Sequence, residues 1–421
     1  MKELSSHPLA SSLCEADREF LLSVVRDYRP TYQQTRILIE QAIDLSLWRQ
    51  PPIETFWDES SGGACSGKAK LKAIMTTACK QIEALRREPT DYNDFTAKPE
   101  LEAKVTHSET LEDVRLLGRC PCPVSGEKTR CCNLLTLDVV QQCAFACSYC
   151  SIQSFYHKNE VVFVENLRER LDRLELPAGT WHIGTGQSSD SLMWGNDHGV
   201  LDALAHFSKK HPNVVVELKT KSARTDWIKE VDLPHSVIAT WSLNAPTIIE
   251  KEEHRSASLE RRLAAARAAA DAGMLVGFHL HPMVYFTGWE DQYQSVIEAI
   301  TTQFSPSEVL MISLGTLTFT REVLRQLRQS GQPSRILQME LSESAGKYSY
   351  PPAVKKRMFS HAYECFPDSW RGEEGPFFYL CMELPELWEP VFGRSYPNND
   401  AFESDMRRHY MRRVGIQSLH R

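Results

Sequence analysis

The chain has no long apolar run. Its longest, LLTLDVV and MLVGFHL, fall far short of the roughly eighteen residues that a membrane-spanning helix needs, so no membrane span is expected. The N-terminus, MKELSSHPLASSLCEADREF, lacks a basic stretch followed by an apolar one, which argues against secretion and leaves the cytoplasm as the expected compartment. Net positive charge is missing too: 48 Lys and Arg stand against 55 Asp and Glu, a formal charge of −7, so there is no global electrostatic footprint for nucleic acid. The densest basic run, DMRRHYMRRVGIQSLHR, carries Arg407, Arg408, Arg412 and Arg413 at helical spacing. Runs of this kind are usually solvated faces, and contact with nucleic acid is the sharper alternative. No GxxxxGK[ST] or GxGxxG stands at a strand-to-helix junction, which leaves a P-loop or Rossmann nucleotide site without support.

What the chain does have is the make-up of an ordinary soluble globular protein, 42% hydrophobic and 24% charged over 421 residues, enough for one large domain with appendages or for two. It also has 12 cysteines, and seven of them fall between Cys120 and Cys150. In a reducing compartment such thiols serve as metal ligands, reactive groups or small core residues more readily than as disulfides. The clustering marks where the chemistry lies.

Residues 1–105 read as a helical N-terminal region, because REFLLSVVRDY, QTRILIEQAIDLSLW and KLKAIMTTACKQIEALRRE place apolar residues at three- and four-residue intervals. Residues 106–133 form a Cys-rich connector. From 134 to 320, short apolar runs alternate with amphipathic helices: LLTLDVV, TWHIGT, VVVEL, VIATWSL, LVGFHL and VLMISL read as six strands. In SLERRLAAARAAADAGM, Ser258 is a candidate N-cap, Leu259, Leu263, Ala266 and Ala270 form one face, and Gly273 ends the helix. This alternation implies an α/β fold with right-handed crossovers, either an incomplete parallel (β/α)6 barrel or a doubly wound sheet, with ligands at the carboxyl ends of the strands. Residues 321–385 continue the core, and 386–421 form the basic tail.

CAFACSYC, residues 143–150, spaces Cys143, Cys147 and Cys150 four and three apart on the loop after the first expected strand. A structural zinc site needs four ligands, and no fourth is evident. Packing cysteines are the bland alternative. A four-iron cluster on three thiolates leaves one iron open to chelate an amine and a carboxylate, which makes the missing ligand the working position.

CxxxCxxC in this context resembles the radical S-adenosylmethionine (SAM) superfamily. The resemblance narrows to the spore photoproduct lyase family, over about 135–370, through CAFACSYCSIQSFY, the SSDS of GTGQSSDSLMW, the TKSA of VVVELKTKSA, the SLNAP of ATWSLNAP, RRLAAARAAADAGMLVGFHLHPMVYFTGWEDQY and GKYSY. It implies a radical SAM-type partial barrel and a 4Fe-4S cluster on Cys143, Cys147 and Cys150. It also implies reductive cleavage of SAM to a 5'-deoxyadenosyl radical, driven by a flavodoxin- or ferredoxin-type electron donor, for repair of a thymine lesion in DNA. Carried over by position, Ser189, Lys221 and Ser242 correspond to SAM contacts at the ends of the second, third and fourth strands. Gly184 and Gly186 fall near the SAM amine, Asn244 supports Ser242, and Tyr149 is the catalytic aromatic before the third cysteine.

Two positions depart from the family. Gln187 stands where the family has its hydrogen-donating cysteine, with Ser188 next, and Ser151 stands where it has a tyrosine after the third cluster cysteine. The alternative expectation is therefore a radical SAM enzyme of the same lineage acting on another nucleotide, an RNA or a small molecule. Cys120, Cys122, Cys131 and Cys132, in CPCPVSGEKTRCC, are candidates for a second metal or a substitute thiol. Against this, they precede a strand whose far end bears the cluster, about 20 Å away if all of LLTLDVV is extended. His279 and His281 lie one period-two step apart and face either the barrel interior or the helices, while Tyr348 and Tyr350 are candidates for stacking on a base or for core packing.

Overall fold

The computed structural model describes Leu4 and residues 7–96, 106–110, 115–119, 128–151 and 160–415. A curled sheet organises them: β1 (Leu117–Arg119), β2 (Leu135–Leu137), β3 (His182–Thr185), β4 (Val215–Thr220), β5 (Val237–Ser242), β6 (Val276–Met283), β7 (Val309–Thr316) and β8 (Phe377–Leu380). The spatial order equals the chain order, and every pairing is parallel except β1 on β2. Strands β3, β5, β7 and β8 are buried along their whole length, as expected when helices cover one face of a parallel sheet and the curled face closes on itself. Among the described residues no helix is long and apolar enough to cross a membrane.

All six expected strands are present, and the incomplete barrel describes the sheet better than a flat doubly wound one. Two features differ from expectation. The run LLTLDVV is broken: only Leu135–Leu137 joins the main sheet, and Val140–Gln141 turns away to pair with Val162 and Phe163 in a separate three-stranded sheet. Three residues span about 10 Å, half the separation expected for the full run. The second feature is β8. FFYL is too short to show a period, yet it adds a seventh parallel strand beside β7.

Local signals account for the crossovers. In the helix Leu259–Asp271, Ser258 accepts from the Arg261 N–H at 3.4 Å, and Gly273 follows at φ 87°. In the N-terminal region, helices Glu15–Tyr28, Tyr32–Leu47 and Gly67–Arg87 pack together, the second opened by a reciprocal Thr31–Gln34 capping box. The fully buried carboxylate of Asp44 ties this region to the barrel. It accepts from Arg86 at 2.7 Å and from Arg328, on the helix Arg321–Gln329, at 2.8 and 2.9 Å.

Removing Asp44 leaves two largely buried guanidiniums without their carboxylate. Asp44→Ala is expected to cost about 3–5 kcal/mol, the usual penalty for breaking a buried ion pair from one side. Urea unfolding followed by circular dichroism reads this as a lower midpoint, and an unchanged midpoint refutes the tie.

Candidate active site

The thiols of Cys143, Cys147 and Cys150 lie on the loop that leaves the short Val140–Gln141 strand, at the carboxyl edge of the barrel. Gln142 and Ala146 take left-handed conformations, φ 71° and 54°, which let the loop reverse before Cys143 and between Cys143 and Cys147. The Cys150 N–H donates to the Cys147 carbonyl at 3.0 Å, and the Ser148 N–H donates to the Glu252 carbonyl at 2.9 Å. None of the three cysteines is in a disulfide. Burial pushes the Cys143 and Cys147 thiols up, and Cys150 raises both further, so the three sit within each other's electrostatic reach. Among the described residues no three ligands converge on a single-ion site. A four-iron cluster takes its thiolates at separate corners and suits a wider triad, and its positive irons supply what buried thiolates lack. The donor set fits such a cluster.

Beside the triad, one carboxylate gathers four elements. Glu253, fully buried, accepts from Arg262 Nη2 at 2.5 Å, Lys221 Nζ at 3.0 Å and Asn244 Nδ2 at 3.2 Å, and from the Tyr149 hydroxyl. Lys221 Nζ also donates to the Tyr149 hydroxyl at 2.8 Å. Burial alone would raise the Glu253 carboxyl, but Arg262 and Lys221 outweigh it and hold it well below the usual carboxylate range. Arg262 is held in turn by the carbonyls of Ala257 and Ser242, each at 2.8 Å. The expected SAM-side residues Lys221, Ser242 and Asn244 are thus joined to Tyr149 through Glu253 and Arg262.

Ser189 sits one step away. Its hydroxyl donates to the Gln142 carbonyl at 2.7 Å, while Asp190 next to it accepts from the Lys221 N–H at 2.7 Å and from Thr220 Oγ1 at 2.6 Å. Gly186 has a backbone reason of its own: at φ 83°, a Cβ there would stand 2.8 Å from the Lys219 carbonyl oxygen. Gly184 lies within β3 and lines the barrel interior.

That interior holds a cavity of about 90 Å³, lined by Gln187, Lys219, His281 and the cysteines Cys131, Cys132 and Cys381, among others. Both histidines therefore face inward. Below them Glu217 bridges His182 (3.0 Å) and His279 (2.7 Å) and accepts from Thr240 at 2.8 Å. Since an ionised carboxylate only accepts, His279 Nε2 carries the proton, and Nδ1 receives the Ser313 hydroxyl at 2.6 Å. Burial, helped by Lys219, pushes His279 down to about 4, so it is neutral near pH 7.

Cys131 and Cys132 line the cavity, and with β2 only three residues long the separation argued against them halves to about 10 Å. Cys120 and Cys122 lie outside the described residues. Tyr350 is a core residue whose hydroxyl accepts from the Tyr285 N–H at 2.8 Å, and Tyr348 accepts from Arg321 at 2.9 Å on a small hairpin. The sequence reading passed over Glu252, Glu253, Arg262, Glu217 and Cys381. A signal existed for two of them: Glu217 is the lone acid in the apolar run VVVEL, and Arg262 falls three residues after Leu259 and four before Ala266, on the apolar stripe of its helix.

A family model described as spore photoproduct lyase matches residues 135–359, more than half of the chain. Among curated relatives, the spore photoproduct lyase of Clostridium acetobutylicum is 23% identical over 182 residues, 41% of this chain and 53% of that protein. The Bacillus subtilis one is 23% identical over 218 residues, 49% and 62% respectively. The chain spans about half the length of the curated relatives it matches. A solved spore photoproduct lyase complexed with dinucleoside spore photoproduct superposes with a TM-score of 0.51 at 19% identity, covering 69% of this chain and 88% of the other. At that identity the likeness shows the fold.

The buried neutral imidazole gives a pH signature. Between about pH 4 and 6.5 the unfolded chain carries a proton that folded His279 does not, so stability falls as pH drops through that window. Melting temperature is expected to decline from pH 7 to pH 5, with a shallower decline in His279→Gln. Parallel slopes would show that His279 is not the titrating group.

Proposed function

The chain belongs to the spore photoproduct lyase family, a radical SAM lineage, and on that premise we propose that it is a radical SAM enzyme of lyase type with a 4Fe-4S cluster on Cys143, Cys147 and Cys150. The observation that carries this reading is the joining of the Cys143–Cys150 loop to two strand ends through Glu253 and Arg262: Tyr149 from the loop, Lys221 after β4, and Asn244 and the Ser242 carbonyl at the end of β5. Cys143, Cys147 and Cys150 would hold the cluster there, and it would supply the electron for reductive cleavage of SAM.

The chain's own residues orient and shield. Lys221 offers a third N–H beyond those given to Glu253 and Tyr149, suited to the carboxylate of SAM. Ser189 and Ser242, with Gly184 and Gly186 close by, flank the same edge. Tyr149, buried and with its hydroxyl pushed up by burial and by Glu253, stays protonated and fixes the Lys221 ammonium. An electron donor of flavodoxin or ferredoxin type belongs to the same reading.

The substrate proposed is a thymine lesion in DNA. In support, the related solved protein carries a dinucleoside spore photoproduct. Gln187 in place of the family's donor cysteine favours the second reading, another nucleotide, an RNA or a small molecule. Against that stand three thiols, Cys131, Cys132 and Cys381, on the wall of the cavity that Gln187 also lines. Each offers a weak S–H bond to a radical formed above it. At about 90 Å³ the cavity admits a side group, so a dinucleotide sits at its mouth.

The test is 5'-deoxyadenosine formation by the anaerobically reconstituted, reduced protein, with and without a spore-photoproduct dinucleotide, while the repaired thymidine dinucleotide is followed. Lesion-dependent turnover is expected, with Cys381→Ala lowering repair at least tenfold and sparing 5'-deoxyadenosine formation. Slow, lesion-indifferent 5'-deoxyadenosine refutes the substrate, and none at all refutes the enzyme class. Cys147→Ala is expected to abolish iron binding and the brown absorbance while the far-ultraviolet circular dichroism is kept; unchanged iron content overturns the ligand assignment.

A further inference from the structure

The basic run near the end of the chain mostly serves the fold. On its helix, Asn399–Val414, Arg408 pairs with Asp405 and Arg412 with Glu374, while Arg413 donates to the carbonyls of Pro306, Ser307 and Val309. Inside the barrel one cation is different. Lys219, on β4, is half-buried and lines the cavity, yet its ammonium makes no hydrogen bond or ion pair among the described residues. Glu217, two residues earlier on the same face, does not answer it, because both its oxygens are taken by His182, His279 and Thr240. A half-buried ammonium has three donors and no acceptor, so it calls for an oxygen.

His281, from β6, lines the same cavity. Burial, and after it the charge of Lys219, push its imidazole well below the usual range, so it is neutral near pH 7 with one nitrogen accepting and the other donating. Its side chain, too, makes no hydrogen bond among the described residues. The cavity thus offers a donor-only ammonium and an imidazole able to accept, beside the apolar walls of Leu134, Leu380 and Met382.

At about 90 Å³ this space excludes a whole nucleoside and admits the edge of a planar ring. Both rings of a methylene-bridged thymine dimer keep an imide edge, an N–H flanked by two carbonyls. Enzymes that act on an extruded base read that edge by hydrogen bonds and pack the ring against apolar side chains. Lys221, which holds Tyr149 and Glu253 at the reactive edge, is two residues beyond Lys219, about 7 Å along an extended chain. A ring edge held at Lys219 therefore lies one strand step from the proposed SAM position.

We propose that the cavity reads the imide edge of the lesion, Lys219 donating to a ring carbonyl and His281 accepting the ring N–H. This rests on the thymine-lesion reading of the site and assigns its base specificity to two residues. A ring whose N3 bears no hydrogen, as in cytosine, leaves two acceptors facing each other.

The test is isothermal titration calorimetry of the full-length, cluster-reconstituted protein, without SAM or reductant, against the spore-photoproduct dinucleotide and its N3-methylated form. Wild type is expected to bind the unmethylated form on the order of tenfold more tightly, since methylation removes the donor and leaves a buried acceptor unpaired. Lys219→Met should weaken binding of the unmethylated form at least tenfold, and His281→Leu should erase the preference between the two forms, with iron content kept in both variants. Equal affinity of wild type for the two forms overturns the assignment, as does unchanged affinity in Lys219→Met. A loss in His281→Leu that is the same for both ligands marks a structural role and overturns the N–H contact. If wild type binds neither form, the thymine-lesion reading falls along with the assignment, whereas indifference to methylation sinks the assignment alone.

Discussion

Burying Glu253 is the constraint on which the active-site edge depends. A carboxylate removed from water costs several kcal/mol unless charges and donors replace its hydration. Here Arg262, Lys221, Asn244 and Tyr149 do so, and they come from four segments. Because the penalty for losing any one of them is high, the four segments are held in one relative placement. Arg262 extends the arrangement inward through the Ser242 carbonyl, fixing the end of β5. A charge network at the mouth of a barrel thus does what an apolar core cannot: it positions polar groups without leaving them unsatisfied.

A similar arrangement recurs deeper in the barrel. Glu217 projects from the middle of β4 into a space too narrow for water to solvate it well, and His182 and His279 from two other strands share the load. Burial would raise Glu217, yet the hydrogen bonds from the two imidazoles hold it well below its usual range. Above them His281 has room because residue 315 on β7 is glycine: a Cβ there would stand 2.9 Å from the ring. The polar interior is therefore stacked, with the hydrogen-bonded Glu217–histidine layer below, in which His182 Nδ1 has no partner among the described residues, and an open cavity above, and the reactive edge rests on that layer.

Much of this was legible in the sequence where a short-range pattern carried it. The strands VVVEL, VIATWSL and VLMISL, the cap at Ser258, the stop at Gly273 and the triad spacing all express themselves within about a dozen residues. What escaped was set by distant partners. LLTLDVV reads as one strand because nothing local reveals that Val140 pairs with Phe163. FFYL is too short to show a period. Glu252 and Glu253 look like a charged helix end, and only the fold brings Ser148, Tyr92 and Arg335 to the first and Lys221 to the second. Cys381 is a scattered cysteine in the sequence and a cavity wall in the structure.

The paired glutamates also divide the labour of holding the cluster loop. Glu252 takes its centre: the Ser148 hydroxyl donates to its carboxylate, and Ser334 at 2.8 Å, Tyr92 at 2.8 Å and the Arg335 N–H at 2.9 Å complete the shell. Glu253 takes the residue next to it, Tyr149. None of these bonds involves a thiol. The backbone between the cysteines is thereby shaped by interactions that do not need iron, and the ordering entropy of the loop is offset during folding rather than at metal binding. The loop that carries Cys143, Cys147 and Cys150 is preorganised, and the N-terminal helical region, through Tyr92, is part of what preorganises it.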